Sequence, residues 1–169
     1  MSDKYQNLCF EIKDSHSISD ISFIKEKLIE YNNECLNLPL DTPGPQAVSV
    51  IVKNKDGEKI AGAYAHAYLN VLHIYGCWVH KDYRKKGIGK EIGKKLEKLA
   101  QKYNCHTATM ETHSFQMTKS FYKRVGVLFI NRVKNSPNGH SKYFLINKLQ
   151  QDKNFLWKFI NKIQTYILK

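Results

Sequence analysis

Apolar residues at every second position mark several short strands along the chain. Leu8, Phe10 and Ile12 alternate with polar residues, and three valines do the same over residues 48–52, which is the period of a half-buried strand. The Asn-Lys-Asp-Gly sequence at residues 54–57 is typical of a hairpin turn. The pattern predicts strands over residues 4–12, 48–52, 60–68, 74–79, 107–113, 127–133 and 142–147.

A helical period replaces this alternation in other segments. Apolar residues recur every three or four positions over residues 18–36, where Ser17 or Ser19 can cap the helix. They do so again over residues 88–103, and a short helix is predicted over residues 118–124. Strands in hairpin order before one strand–loop–helix unit predict an α/β (α+β) fold with a mixed central sheet and flanking helices.

The residues after Leu149 contain one further amphipathic segment. Its apolar positions fall on one helical face: Phe155, Leu156, Phe159, Ile160, Ile163, Tyr166 and Ile167. We expect a C-terminal helix packed on its own domain. A contact with a partner or a second copy is the first alternative, and an interfacial membrane helix is the second.

Composition and charge limit the class of protein. A chain of 169 residues with 42% hydrophobic content is typical of a single globular domain, and no run reaches the ~18 apolar residues of a membrane span. The polar N-terminus shows no signal peptide, and four scattered cysteines predict reduced thiols in a cytoplasmic protein without a metal site. The net charge of +12 fits anionic partners or a solvated lysine-rich surface. Nucleic acid is allowed but not favoured, because the lysines are spread over the chain and form no basic stripe interleaved with aromatic residues.

A basic glycine segment joins a predicted strand to a predicted helix. Glycines let the backbone approach a ligand closely, and a helix N-terminus presents unpaired N–H groups and a partial positive charge. Four cations surround the same point: Arg84, Lys85, Lys86 and Lys90. Together these features predict a pyrophosphate site. Neither nucleotide motif fits, because Ile92 replaces the third glycine of the dinucleotide fingerprint, and Gly89 and Gly93 are one residue too close for a P-loop.

Three separated segments resemble the GNAT superfamily of acetyl-CoA-dependent N-acetyltransferases. RKKGIG at residues 84–89 matches the family signature R/Q-x-x-G-x-G/A, and FYKRVG at residues 121–126 resembles its F-Y-x-x-x-G segment. SPNGHSKYFL at residues 136–145 resembles the P-x-G-H-x-x-Y-F-L ending of one bacterial subgroup. The chain departs from the family at residues 115–118, where many relatives carry an Asn and an Ala, and at Val127, where Phe is usual.

The resemblance implies a GNAT fold with a mixed central sheet of about six to seven strands, whose fourth and fifth strands splay apart. It implies a GNAT acetyltransferase domain over residues 1–149, followed by the C-terminal amphipathic helix over residues 150–169. Acetyl-CoA is the implied cosubstrate, without a metal; its pantetheine would bond to the backbone of the fourth strand and its pyrophosphate to the loop amides. The implied cofactor-binding residues are Cys77, Trp78, Val79, Arg84, Lys85, Lys86, Gly87, Ile88, Gly89 and Lys90.

The resemblance also implies catalytic roles. Tyr122, the tyrosine of the F-Y-x-x-x-G segment, would give a proton to the departing CoA thiolate, because a phenol stays protonated at neutral pH; the alternative is that it only binds CoA or packs. Glu111 would be the base, directly or through water, unless its carboxylate is simply solvated. Tyr75, His113 and His140 are candidate substrate contacts or, for the histidines, proton relays; ordinary surface or turn positions are the alternative.

These features predict an enzyme that moves an acetyl group from acetyl-CoA to a primary amine of a small molecule, by direct attack in a ternary complex. The alternatives are acetylation of a macromolecular amine, on a protein or an aminoacyl-tRNA, and a non-catalytic module that binds acyl-CoA or a partner. The predicted pocket segments, residues 37–48 and 60–70, contain one carboxylate, Asp41, which argues against polycationic acceptors. A homodimer is a further partner that the sequence leaves open.

Overall fold

The computed structural model describes residues 8–39, 41–116 and 127–149. The chain divides into two compact units, Met1–Gly44 and Pro45–Lys169. Within the described residues, the first unit contains one α-helix, and the second contains a six-stranded sheet with another α-helix. None of the helices in those ranges combines the length and the apolar character needed to cross a membrane.

Helix α1 in the first unit covers Ile18–Cys35. Ser17 is its N-cap, and its Oγ accepts a hydrogen bond from Asp20 N at 3.0 Å. Ser19 Oγ lies 2.8 Å from Ser17 Oγ and therefore supports the cap rather than forming it. The predicted helix is confirmed, and Ser17 is the residue that satisfies one of its unpaired N–H groups.

The strand predicted over residues 4–12 is wrong for the part that the structure describes. Residues 8–12 form no strand, and the side chains of Leu8, Phe10 and Ile12 are exposed. Alternating apolar residues specify a strand only where a neighbouring strand supplies hydrogen bonds and a buried face. Residues 8–12 pair with no strand among the described residues.

The sheet of the second unit has the strand order β1-β2-β3-β4-β6-β5. Its strands are β1 (Gln46–Lys53), β2 (Lys59–Tyr68), β3 (Val71–Val79), β4 (Thr107–His113), β5 (Leu128–Lys134) and β6 (Ser141–Lys148). β3 and β4 run parallel, and every other neighbouring pair runs antiparallel. A 3₁₀ turn at Lys81–Tyr83 and helix α2 at Ile88–Lys102 connect β3 to β4. The predicted mixed sheet is confirmed, and α2 packs on one of its faces.

The Asn54 side chain builds the turn between β1 and β2. Its Oδ1 accepts hydrogen bonds from Asp56 N at 3.0 Å and from Glu58 N at 2.9 Å. Gly57 has a φ of 84°, a conformation that residues with a Cβ rarely adopt. The predicted hairpin turn is therefore confirmed. Asn54 supplies the side-chain acceptor and Gly57 adopts the positive φ that the turn requires.

Alanines on one face of β2 allow helix α2 to lie close to the sheet. The core contains Ala61, Ala63, Ala65 and Ala67 of β2, Leu72 of β3, and Ile92, Leu96 and Ala100 of α2, all of them buried. Short alanine side chains leave room for the branched side chains of the helix, so the two layers interdigitate. The apolar helical face predicted over residues 88–103 is the face that packs here.

The parallel strands β3 and β4 stay together over only part of their length. Their pairing begins at Val71 and Thr107 and ends at Ile74 and Met110, although both strands continue beyond that point. Tyr75 is an extra residue in β3, because Tyr64 of β2 pairs with Gly76 while Ala65 pairs with Ile74. Such a bulge bends and twists a strand. β3 and β4 are the strands that the sequence predicted as the fourth and the fifth. The predicted splay between them is therefore confirmed.

Candidate active site

The loop between β3 and α2 presents backbone N–H groups at the start of a helix. Gly87 is the N-cap of α2 and has a φ of 81°, and Lys85 has a φ of 62°. The amides of residues 85–89 donate no hydrogen bond to the backbone within the described part of the chain. Unpaired donors at a helix N-terminus bind anions. These donors suit the pyrophosphate site predicted from the sequence, and the binding itself stays a prediction.

Arg84 fixes the start of this loop against the end of β3. Its Nε donates a hydrogen bond to the carbonyl oxygen of Val79 at 3.0 Å. The sequence predicted Arg84 as a cation for phosphate, and the structure adds a second contact that holds the loop in place. The other guanidinium N–H groups are in a position to serve a further acceptor, because one arginine carries five donors.

Positive charge exceeds negative charge around the loop. The one acidic residue in the first turn of α2, Glu91, forms an ion pair with Lys94 at 2.7 Å, and this contact lowers the pKa of the Glu91 carboxyl. A groove of about 920 Å³ begins at the loop and runs between α2 and β1. The cations on its lining are Lys53, Lys86, Lys90, Lys95 and Lys98.

Cys77, Trp78 and Val79 lie on the part of β3 that β4 does not pair. One backbone edge of this segment bonds to β2, and the other faces the gap between β3 and β4. Cys77 is on the α2 face, where desolvation by the surrounding protein raises the pKa of its thiol although solvent still reaches it. A linear ligand with amide groups can bond to a free strand edge of this kind.

Tyr75, at the bulge, belongs to a group of rings on the face of the sheet opposite α2. Its ring stacks on Tyr64 with centroids 5.9 Å apart and meets His66 edge to face at 5.2 Å. Gly76 makes room for the Tyr64 ring, because a Cβ there would lie 2.6 Å from Tyr64 Cε1. Of these rings, the sequence analysis named only Tyr75. The predicted hairpin between β2 and β3 places Tyr64 and His66 beside it, and this pairing could have identified them.

Glu111 lies on the same face, on the end of β4 that β3 does not pair. Its carboxylate forms an ion pair with Lys142 of β6, and Lys142 Nζ also lies 5.5 Å from the centre of the Phe144 ring. The pairing of β4 with β6 places these side chains together. The side chain of the predicted base is therefore held beside the ammonium group of Lys142.

His113 and His140, which are 27 residues apart in the chain, come together at the end of β4 through Phe115. The Phe115 ring stacks on His113 at 5.2 Å and meets His140 edge to face at 5.0 Å. His140 Nδ1 lies 3.2 Å from Ser114 Oγ. Phe115 belongs to the segment in which the chain departs from the family pattern, and no sequence motif pointed to it as a site residue.

Several predictions fall on residues outside the described ranges. These are Tyr122 with the predicted helix over residues 118–124, and the C-terminal helix predicted over residues 150–169. Their structures and roles stay predictions from the sequence.

Comparison with known proteins decides the family. The sequence profile described as the Acetyltransferase (GNAT) family matches residues 15–127. The chain belongs to the GNAT family. Its members are acyl-CoA-dependent N-acyltransferases, and this protein is an enzyme of that kind. None of the curated proteins compared with the chain matches it.

Solved structures of proteins described as acetyltransferases share the fold. An acetyltransferase from Bacillus cereus is 29% identical, with a TM-score of 0.66, and the match covers 82% of this chain and 98% of that one. A protein from Agrobacterium tumefaciens described as an acetyltransferase is 20% identical, with a TM-score of 0.69 and coverage of 83% and 99%. A Bacillus anthracis protein described as a streptothricin acetyltransferase, solved in complex with acetyl coenzyme A, is 18% identical, with a TM-score of 0.55 and coverage of 68% and 72%.

The residues present in this GNAT protein fit acetyl-CoA as the cosubstrate. The unpaired amides of residues 85–89 suit its pyrophosphate, and the free edge of Cys77–Val79 suits its amide-containing arm. Within the described ranges, no three side chains of His, Cys, Asp or Glu group together as metal ligands.

Proposed function

We propose that this GNAT enzyme transfers the acetyl group of acetyl-CoA to a primary amine of a small molecule, by direct attack in a ternary complex. The observation that carries the proposal is the gap between β3 and β4. Unpaired backbone groups border it on the side of the α2 loop, and ring-bearing side chains border it on the opposite face of the sheet. Two reactants held on either side of one gap would react largely through their orientation.

The chain supplies binding and proton transfer in this proposal, and acetyl-CoA supplies the activated acetyl group. The loop amides and the free edge of Cys77–Val79 hold the cosubstrate. Tyr122 gives a proton to the leaving thiolate, and Glu111 is the base suggested by the family resemblance. Tyr75, His113 and His140 contact the acceptor.

The charges on the acceptor face favour an acceptor that is not a polycation. Glu111 lies on this face, and its carboxylate is already paired with Lys142. A polycationic acceptor needs several carboxylates that are free to pair with it. The net charge of +12 keeps an aminoacyl-tRNA as the alternative.

The remaining parts of the proposal rest on the sequence. Residues 137–145 suggest the bacterial subgroup with a P-x-G-H-x-x-Y-F-L segment, and His140, Tyr143 and Leu145 occupy the corresponding positions. We infer a cytoplasmic enzyme whose domain spans residues 1–149, with residues 150–169 packing as a helix on that domain or on a partner.

Calorimetric titration with acetyl-CoA tests the function, with ATP and NAD as controls. We expect micromolar binding of acetyl-CoA and much weaker binding of both controls. Thiol release would then be followed with tyramine, spermidine and a short peptide with a free N-terminus. Turnover with tyramine alone favours the small-molecule assignment, turnover with the peptide favours the macromolecular alternative, and a folded protein that does not bind acetyl-CoA would exclude the proposal.

Replacing Tyr122 tests the proposed acid. Tyr122→Phe removes the hydroxyl and keeps the ring, so we expect kcat to fall by about 100-fold, which is typical of a lost general acid. The affinity for acetyl-CoA should stay within about twofold if the hydroxyl acts mainly on the leaving group. Steady-state turnover assays and the same calorimetric titration measure the two quantities; an unchanged kcat would remove the acid assignment.

A further inference from the structure

The ion pair of Glu111 raises the question of which side chain takes the proton from the acceptor amine. Glu111 contacts Lys142 directly, so its carboxylate is already engaged with an ammonium group of the protein itself. The other basic side chain on the same strand and the same face is His113, two residues further along β4.

Gln116 fixes which nitrogen of His113 carries the proton. Gln116 Oε1 lies 3.1 Å from His113 N and 3.3 Å from His113 Nδ1. A backbone N–H can only donate, so the side-chain atom facing it must be the amide oxygen. That oxygen can only accept, so the nearby ring nitrogen must be Nδ1–H. In the neutral imidazole the lone pair is therefore on Nε2.

The His113 ring is also held in position by stacking. The Phe115 ring lies nearly parallel to it, with an angle of 15° between the planes and centroids 5.2 Å apart. The turn after β4 thus supplies two contacts, one to the edge of the imidazole and one to its face. His113 is only partly buried, so part of its side chain is open to a molecule on this face of the sheet.

We propose that His113 Nε2 is the proton acceptor for the acceptor amine, and that Gln116 is a positioning residue that holds the imidazole in the required tautomer. This inference rests on the proposed function, because it assigns a role within the same site. An oriented base supported by a third group is the arrangement that activates weak nucleophiles in other enzymes.

The step balances without a further reactant. The acceptor enters as an ammonium ion and loses one proton to His113 Nε2, which later releases it to solvent. The amine nitrogen forms a bond to the thioester carbon and the carbon–sulfur bond breaks. The thiolate gains a proton from the proposed acid, Tyr122, and the second proton that leaves the nitrogen as the amide forms returns through solvent to the Tyr122 oxygen. The products are the acetylated amine, CoA thiol and one proton.

The tautomer can be measured without knowing the acceptor. In protein labelled with ¹⁵N-histidine, at mildly alkaline pH, the nitrogen chemical shifts of His113 should show a protonated Nδ1. Gln116→Leu should shift His113 toward the form protonated at Nε2, and Gln116→Glu should retain the wild-type form, because a carboxylate also accepts from Nδ1–H. His113→Gln assigns the signals. A wild-type His113 protonated at Nε2 would overturn the inference.

Turnover separates His113 from Glu111. With tyramine, or with the peptide if tyramine is not acetylated, we expect His113→Gln to lower kcat by about 100-fold and Glu111→Gln by less than about tenfold. Gln116→Leu should lower kcat in proportion to the lost tautomer, and Gln116→Glu should restore it. His106→Gln, the same substitution just before the other end of β4, is the matched control and should retain full activity.

The experiments distinguish a failure of the proposed function from a failure of the inference about His113. Loss of acetyl-CoA binding by the folded wild-type protein contradicts the proposed function. Intact acetyl-CoA binding and turnover, together with an active His113→Gln or a large loss in Glu111→Gln alone, contradicts the inference about His113. If His113→Gln does not fold, Gln116→Leu and its rescue by Gln116→Glu still decide the question.

Discussion

The two sides of the gap between β3 and β4 are built from different parts of the chain. On the cofactor side, the groups that would meet the ligand are backbone atoms, the amides of residues 85–89 and the free edge of Cys77–Val79. On the acceptor side they are side chains from four different strands: Tyr64, His66, Tyr75, Glu111, His113 and Lys142. Backbone groups do not change with the side chains, so the cofactor side can be the same in many enzymes that use one cosubstrate. The acceptor side consists of side chains and can differ from one acceptor to another.

Removing Arg84 should have the largest effect on the cofactor side alone. Arg84→Leu loses the hydrogen bond to Val79 O and a positive charge beside the loop. A hydrogen bond from a charged group contributes about 1.5–3 kcal/mol, so acetyl-CoA should bind about 10- to 100-fold more weakly in calorimetric titration. Arg84→Lys keeps the charge and should lose less. An equal increase in the KM of the acceptor would show that the two sides are not independent.

Gly87 and Gly93, at the start of α2 and inside it, allow the same Gly→Ala substitution to be compared at two backbone conformations. Gly87→Ala places a Cβ on a residue with a φ of 81°, which costs about 1–2 kcal/mol, and the strained loop should bind acetyl-CoA less tightly. Gly93→Ala adds the same methyl group inside α2, where nothing lies within 4 Å of the new Cβ. It should stabilise the protein by about 1 kcal/mol without changing acetyl-CoA binding.

Denaturant unfolding and calorimetric titration of both glycine variants measure these effects. Opposite signs in the free energy of unfolding are expected. If both substitutions destabilise the protein, the left-handed conformation at Gly87 is not the source of the difference.

Tyr75→Ala tests the acceptor side and should have the smallest effect. It removes the ring that contacts Tyr64 and His66. Aromatic pairs contribute about 0.5–1.5 kcal/mol beyond their buried area, so the KM for tyramine should rise by up to about tenfold. Calorimetry should show unchanged affinity for acetyl-CoA. A weakened acetyl-CoA affinity with unchanged KM would place Tyr75 on the cofactor side instead.

The difference between the two sides also explains what the sequence could predict. Residues 84–89 are consecutive, and their glycines and cations act together because they are neighbours in the chain, so the amino-acid order alone is enough to identify the loop. The cap at Ser17 and the turn at Asn54 were predicted for the same reason. His113, Phe115 and His140 meet only because the strand pairing and the turn that joins β5 to β6 bring them together.

The structural features that the sequence did not predict depend on how neighbouring strands align and on which strands pair. The bulge at Tyr75 breaks the alternation of side chains along β3, and a hydrophobic pattern alone does not show where one residue is added. The ion pair between Glu111 and Lys142 likewise depends on how β4 and β6 align. The apolar alternation over residues 8–12 predicted a strand where, in the described residues, no neighbouring strand pairs with it.

The short parallel pairing between β3 and β4 has a consequence for the cohesion of the sheet. Residue pairs join these two strands only from Val71–Thr107 to Ile74–Met110, so the half containing β1 to β3 and the half containing β4 to β6 meet along a narrow seam. A pantetheine arm bonded along the free edge would stand where a further strand would otherwise complete the ladder. Cosubstrate binding then also fastens the two halves together, and saturation at 100 times Kd would add about 2.7 kcal/mol to the free energy of unfolding. The enzyme with cosubstrate bound would be a more tightly closed molecule than the free enzyme.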